Sequence, residues 1–210
     1  MIDYYVYTDG ACSNNGRVNA KAGIGIYFGK DDSRNVSKQV VGKQTNNVAE
    51  LTAVLETYPL IQQDLNEKKI SIVTDSNYVI KCLGSYGEKC YKNNWESKKK
   101  SDKGIPNVDL LKQTYLLYKD SGVIFQHIEA HTGNQDIHSI GNEEADKLAV
   151  KAIGGQKNKN TDNTKIYLNV PYEKKEHAKS LGAKWNPKKK KWYSMTSNEH
   201  LNKLKDLYSR

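Results

Sequence analysis

The sequence predicts an α/β fold, with a mixed five-stranded sheet, helices on its faces and a small α+β unit at the end. Three observations support this prediction. The chain begins with three β-rich runs at 3–8, 22–28 and 33–41. Helix-like and strand-like segments then alternate up to about residue 152. A polar, glycine-containing stretch at 154–163 precedes a further strand, helix, hairpin and helix.

Hydrophobic periodicity assigns the individual elements. In the second run, Ile24, Ile26 and Phe28 occupy every other position, as in a half-buried strand. Apolar residues at helical spacing predict a helix that opens at Asn47, and Pro59 permits a late kink or an end. We expect a loop over 9–16, a strand over 70–74, a helix from Asp75-Ser76 towards Leu83, an irregular lysine-rich excursion over 84–104, a helix over 107–119, a strand over 123–130 and a helix over 139–152.

The charge of the chain is distributed unevenly. Formal net charge is +9, yet residues 1–154 hold 19 basic and 19 acidic side chains, whereas residues 155–210 hold 14 basic and 5 acidic ones. This excess favours a polyanionic partner such as nucleic acid, and the alternative is a solvated basic tail.

The cysteines and the amino terminus indicate the compartment. Cys12, Cys82 and Cys90 form an odd set without a Cys-x-x-Cys spacing, which argues against a disulfide framework and against a zinc cluster. The first residues resemble a strand rather than a signal peptide, and no apolar run reaches membrane-spanning length. We expect an intracellular, cytoplasmic protein, with the nucleus or an organelle as alternatives, and a monomer.

Four carboxylates lie at the ends of predicted elements, namely Asp9, Glu50, Asp75 and Asp146. Each has a structural explanation when taken alone: a turn residue, a capping partner, a helix cap and a solvated helix face. Together they could converge at one edge of the sheet. Carboxylates packed closely repel one another unless cations neutralise them, and their hard oxygen ligands suit Mg²⁺ or Mn²⁺.

The residues around these acids carry a family resemblance. The segments are Thr8-Asp9-Gly10-Ala11-Cys12, Thr45-Asn46-Asn47-Val48-Ala49-Glu50-Leu51, Thr74-Asp75-Ser76-Asn77-Tyr78 and Gly141-Asn142-Glu143-Glu144-Ala145-Asp146-Lys147-Leu148-Ala149. In this order and spacing they resemble the four acidic motifs of type 1 ribonuclease H. His131-Thr132-Gly133 is similar to the mobile histidine loop of that family, and the resemblance covers residues 1–153.

The resemblance implies an activity and a set of catalytic residues. Asp9, Glu50, Asp75 and Asp146 would bind two Mg²⁺ ions, for which Mn²⁺ could substitute, and His131 would handle a proton or assist product release. Two ions about 3.5–4 Å apart can activate a water and stabilise the leaving oxygen. The expected reaction is endonucleolytic hydrolysis of the RNA strand of RNA–DNA hybrids, leaving 5′-phosphate and 3′-hydroxyl ends. The alternatives are a non-catalytic hybrid-binding module and another nuclease of the same fold, such as a resolvase.

The same resemblance implies residues that contact the substrate. Small polar side chains suit the recognition of 2′-hydroxyls, and the matching positions are Asn15, Asn46 and Asn47. The family has a pocket for a DNA phosphate, and the matching residues here are Lys43, Thr45 and Asn107. It also has an aromatic channel for the DNA strand, and the matching residues are Tyr78, Tyr86 and Trp95. Tyr86 stands where relatives often have tryptophan. The segment 81–103, with seven lysines and three acids, resembles the basic protrusion of the family.

The remaining residues predict a second, basic domain. We expect a catalytic domain over 1–153, a flexible linker over 154–164 and a small domain over 165–210. Leu168-Asn169-Val170-Pro171-Tyr172, Leu181-Gly182-Ala183-Lys184-Trp185 and Lys191-Trp192-Tyr193 resemble a domain of uncharacterised function that is appended to nucleic-acid enzymes. Its aromatic residues could stack on bases or form the core of the domain. Our hypothesis is that it adds affinity for hybrid, duplex or single-stranded nucleic acid without contributing chemistry.

Overall fold

The computed structural model describes residues 1–97, 104–130, 134–155, 165–187, 189–195, 198 and 200–208. The chain divides into two compact units, Met1–Lys157 and Asn158–Arg210, and each is described by itself. Residues 156–164 of the predicted linker lie outside the described part. Within the part that is described, no helix combines the length and the hydrophobicity that crossing a membrane requires.

The first unit is a mixed sheet with helices. Strands β1 and β2 pair antiparallel, as do β2 and β3, whereas β4 pairs parallel to both β1 and β5, giving the order β3-β2-β1-β4-β5. The fold class is therefore confirmed. The elements are β1 Tyr4–Ser13, β2 Lys21–Tyr27, β3 Val36–Gln39, α1 Asn46–Ile61, β4 Ile70–Thr74, α2 Asn77–Leu83, α3 Ser85–Lys92, α4 Val108–Tyr118, β5 Ile124–His127 and α5 Ile137–Ala152.

Strand β1 continues through the segment that was predicted to be a loop. Asp9 pairs with Gly25 and Cys12 pairs with Ala22, so the prediction of a loop is wrong over 9–13. The Asp9-Gly10 pair suggested a turn, but glycine is needed here for another reason. A Cβ added at Gly10 would lie 2.2 Å from the backbone nitrogen of Glu50, so only glycine lets α1 pack this closely against the strand.

Several helix boundaries also differ from the prediction. Helix α3 occupies part of the excursion predicted as irregular, and it buries Gly87 and Cys90. Helix α1 is capped by Thr45, whose Oγ1 accepts from the Val48 amide at 3.3 Å. Ser76, rather than Asp75, caps α2, which leaves the Asp75 carboxylate available for other contacts.

The sheet is packed between α1 and α5. Alternation along β2 directs Ile24 and Ile26 into the core shared with α1, and directs Gly23 and Gly25 towards α5. A Cβ at Gly25 would lie 1.9 Å from the Ala145 carbonyl oxygen. Helix α5 can therefore approach the strand at the turn that carries Asp146.

The second unit is a three-stranded antiparallel sheet with helices on one face. Leu168, Trp192 and Leu204 lie in its buried cluster. The two tryptophans of this unit differ in exposure. Trp192 is buried, as expected for a core residue, whereas Trp185 is 48% exposed. The elements are β6 Lys165–Leu168, a 3-10 helix Tyr172–Lys174, α6 Lys175–Ser180, β7 Lys184–Asn186, β8 Lys191–Met195 and α7 Leu201–Tyr208, and the strand order is β6-β8-β7.

Substitution of Gly25 tests the close packing of α5. Gly25→Ala should lower the free energy of unfolding by about 3 kcal/mol, because the methyl group must displace helix backbone. Urea unfolding of the full chain measures this change. Gly29→Ala is the matched control, since an added Cβ there meets no atom of the described residues within 4 Å, and it should change stability little. Equal effects of the two substitutions would contradict the packing argument.

Candidate active site

Three of the predicted carboxylates converge in the first unit. Asp9 lies on β1, Glu50 lies on α1, and Asp75 directly follows β4, the parallel neighbour of β1. One carboxylate oxygen of each residue lies within 4.8 Å of the corresponding oxygens of the other two. Asp9 is 8% exposed and Glu50 is 6% exposed, while Asp75 is half-buried. This arrangement has the geometry of a cation site.

The electrostatics of Glu50 reflect this crowding. Burial, and after it the charges of Asp9 and Asp75, raise the pKa of the Glu50 carboxyl well above its ordinary value. The Gly10 amide and the Asn46 side chain donate hydrogen bonds to Glu50 and offset part of this rise. The second oxygen, Oε2, is buried and has no hydrogen-bond partner among the residues that the structure describes. A buried carboxylate with an unsatisfied oxygen beside two others is suited to a hard divalent cation.

Asn142 is a residue of the site that sequence reasoning did not single out. It is 3% exposed on α5, and its Nδ2 donates to Asp75 Oδ2 at 2.8 Å. The contact fixes the orientation of the Asp75 carboxylate. The available signal was spacing, since Asn142 stands four residues before Asp146 and therefore shares its helix face.

Two predicted catalytic residues are not in the cluster as described. Asp146 is half-buried on α5, and its carboxylate does not belong to the group of three. His131 lies outside the described residues. His127 donates from Nε2 to the Asp75 carbonyl oxygen at 3.1 Å.

Of the three predicted 2′-hydroxyl readers, Asn46 contacts a carboxylate of the cluster and Asn15 contacts Asn46. The backbone N–H of Asn46 donates to Asn15 Oδ1 at 3.2 Å, and the side-chain Nδ2 of Asn46 donates to Glu50 Oε1 at 3.4 Å. Asn47 is exposed in the first turn of α1. The structure therefore links Asn15 to the acidic cluster through Asn46.

Two of the residues predicted to contact a DNA phosphate, Lys43 and Asn107, are joined by a hydrogen bond. Lys43 Nζ donates to Asn107 Oδ1 at 3.0 Å, and Asn107 Nδ2 donates to the Tyr78 hydroxyl at 3.2 Å. Asn107 adopts a left-handed backbone conformation with φ of 53°. Burial raises the pKa of Tyr78 to about 12, so its phenol stays neutral at physiological pH. Thr45 uses its hydroxyl to cap α1.

The aromatic residues expected in the DNA channel pack around α3. Tyr78 and Trp95 contact the same buried cluster, which includes Cys82 and Cys90. Trp95 makes an edge contact with Tyr115, with 5.8 Å between ring centroids. Tyr86 is 37% exposed. The lysines of the predicted protrusion at 98–100 and 103 lie outside the described residues.

Two family models match separate parts of the chain. The family model described as RNase H matches residues 2–154, and a domain of unknown function, DUF5710, matches residues 165–206. A ribonuclease H of Orientia tsutsugamushi is 38% identical over 172 residues, covering 80% of this chain and 93% of that protein. A ribonuclease H of Schizosaccharomyces pombe is 37% identical over 145 residues, and the alignment spans 69% of this chain but only 50% of that protein.

A solved structure shows the same architecture. The crystal structure of LC9-RNase H1, a type 1 RNase H with the type 2 active-site motif, superimposes with a TM-score of 0.53 and 26% identity. The superposition covers 72% of each chain.

The fold and the acidic cluster define a hydrolase domain with a candidate divalent-cation site at its sheet. The chain belongs to the ribonuclease H family, in the type 1 group, whose members are metal-dependent enzymes that cleave the RNA strand of RNA–DNA hybrids. The residues that were selected from the four acidic motifs lie within the matched region.

Proposed function

We propose that this chain hydrolyses the RNA strand of RNA–DNA hybrids endonucleolytically at the Asp9, Glu50 and Asp75 cluster, using Mg²⁺. The convergence of these three carboxylates around an unsatisfied buried oxygen of Glu50 carries the proposal. Asp146 is proposed as a fourth ligand and His131 as the proton-handling residue. The products would carry 5′-phosphate and 3′-hydroxyl ends.

The cluster fits divalent cations chemically. Its donors are carboxylate oxygens, which suit Mg²⁺ and allow Mn²⁺, and no nitrogen or sulfur ligand belongs to the group found among the described residues. Two bound ions would supply Lewis-acid chemistry for attack on the phosphodiester and for departure of the leaving oxygen.

The side chains of the protein have separate roles in this proposal. Asn142 and Asn46 hold the carboxylates of Asp75 and Glu50 in fixed orientations. Asn15, Asn46 and Asn47 would read 2′-hydroxyls of the RNA strand. The DNA strand would contact the pocket of Lys43, Thr45 and Asn107 and the aromatic side chains of Tyr78, Tyr86 and Trp95. Positioning of this kind accounts for much of the catalysis in phosphoryl chemistry.

The second unit would hold nucleic acid without contributing chemistry. Its basic excess supports this role. We also propose that the chain acts as a monomer inside the cell, in the cytoplasm, where reducing conditions would keep the free thiols of Cys12, Cys82 and Cys90 reduced. The proposed domain boundaries are 1–153 and 165–210.

The decisive experiment compares substrates and one cluster variant. With Mg²⁺, the wild type should cut only the RNA of an end-labelled hybrid, and spare duplex RNA, duplex DNA, single strands and Holliday junctions. Asp75→Asn should lower the rate on the order of a hundredfold or more, because a charged ligand is lost. Asp31→Asn, at an exposed position with positive φ that asparagine tolerates, is the control and should retain activity. Tight hybrid binding without cutting would show a binding module instead, and cutting of junctions would show a resolvase.

Removal of the second unit tests its role in binding. Deletion of residues 156–210 should raise KM and weaken the salt dependence while sparing kcat, because lysines that contact phosphates are lost. The first unit has its own buried core, so a thermal transition of the truncated chain should remain cooperative. Steady-state kinetics at several salt concentrations measure the effect. A large fall of kcat at saturating hybrid would refute the proposal.

A further inference from the structure

The sheet of the second unit has one face that its helices do not use. On the central strand β8, Trp192 and Ser194 are buried, whereas Lys191 and Tyr193 point to the opposite face. Apolar residues of α6 and α7, including Ala178 and Leu204, pack with Trp192 on the buried side. In the described part of this unit, the opposite face is therefore the outer face.

Two tyrosines lie side by side on this outer face. Tyr193 pairs with Tyr167 of β6 across the sheet, and their ring centroids are 6.1 Å apart. Both rings are half-buried, so each keeps accessible surface. Asn186 Nδ2 donates to the Tyr167 hydroxyl at 3.0 Å, which holds the ring in place. Adjacent strands thus present a pair of neighbouring aromatic rings.

Lysines surround the two rings. Lys165 Nζ lies 4.6 Å from the centroid of the Tyr193 ring, and Lys189 Nζ lies 4.9 Å from that of Tyr167. Lys184 lies on β7 and pairs with Tyr193, and Lys191 lies on β8. Both of these lysines are exposed. The three strands contain lysines but no carboxylate, so every charged side chain that the strands place on this face is basic.

We propose that this outer face binds single-stranded nucleic acid, with bases stacked on Tyr167 and Tyr193 and phosphates held by Lys165, Lys184, Lys189 and Lys191. The inference rests on the proposed nucleic-acid role of the second unit and assigns its surface and its ligand. Paired aromatic rings within a basic surface are the features by which proteins hold single strands without sequence preference.

The geometry favours a single strand over a duplex. A duplex keeps its base faces stacked inside, so the rings of Tyr167 and Tyr193 would have no partner there. The lysine ammonium groups over the rings are held by exposed cation–π contacts, which are weak. An incoming base can take the ring face while the ammonium moves to the adjoining phosphate. The face would therefore retain the unpaired strand beside a hybrid.

Binding by the full chain tests this assignment. Fluorescence anisotropy with labelled oligothymidylate, in buffer without divalent metal, should show that Tyr167→Leu/Tyr193→Leu weakens binding at least about tenfold, since both stacking surfaces are lost. Affinity for a DNA duplex of equal length should change less than about twofold. Tyr167→Phe/Tyr193→Phe keeps both rings and should bind single strands as the wild type does, which separates stacking from misfolding.

Tyr172→Leu is the matched control. Tyr172 is 76% exposed and also carries a lysine over its ring, with Lys175 Nζ at 3.9 Å, but it lies on the 3-10 helix outside the sheet. This variant should bind single strands normally. The inference is overturned if the double leucine variant binds like the wild type, if the double phenylalanine variant loses binding equally, or if duplex affinity falls in parallel.

The outcome is separable from that of the proposed nuclease activity. The double leucine variant should retain its kcat on hybrid, because the rings belong to the second unit. If the wild type cuts hybrid and the double leucine variant still binds single strands normally, only the proposed binding face is rejected. If the double leucine variant loses single-strand binding and the wild type does not cut hybrid, only the proposed nuclease activity is rejected.

Discussion

The candidate site depends on how closely two helices approach the sheet. Gly10 allows α1 to reach β1, and Gly25 allows α5 to reach β2, because in each case a Cβ would collide with helix backbone. The first approach places Glu50 beside Asp9. The second brings Asn142 within hydrogen-bonding distance of Asp75. Close backbone packing at glycine thus assembles polar groups from separate elements.

This packing has an electrostatic consequence. Burial, and after it the charges of Asp9 and Asp75, disfavour ionisation of Glu50, the most enclosed of the three carboxyls, and raise its pKa. The fold tolerates this repulsion because the amides of Asn46 and Asn142 and the backbone of Gly10 donate to the acids. A divalent cation would remove the rest of the repulsion, so the carboxylates are already positioned to bind one. Sites that carry chemistry commonly retain such local strain.

Sequence patterns predicted the elements and three members of the site. The order of strands and helices was readable because apolar residues repeat at two or at 3.6 positions. Asp9, Glu50 and Asp75 were recognisable from the segments around them, and the structure brings them together. The continuation of β1 beyond Asp9 was not predicted, since Asp-Gly suggests a turn in sequence and only the approach of α1 explains Gly10. Tertiary contact here outweighs a local preference.

Other features depend on which surfaces meet. Helix α3 was not predicted because polar residues dominate its sequence. Its buried residues are Gly87 and Cys90. Asn142 resembled an ordinary polar helix residue until its contact with Asp75 was seen. The pairing of Tyr167 with Tyr193 requires the register of β6 and β8, which the separate strand patterns do not contain. Register and side-chain partners therefore mark the limit of prediction from sequence.

The ionisation of Glu50 shows whether the three carboxylates form a cation site. Its side-chain carboxyl ¹³C shift can be followed by NMR against pH in the full chain, first without divalent metal and then with saturating Mg²⁺. We expect a midpoint well above that of an ordinary glutamate in the metal-free protein, and a marked fall of that midpoint when Mg²⁺ binds, because the cation favours the charged form. An ordinary midpoint that Mg²⁺ leaves unchanged would show that these carboxylates do not form the cation site.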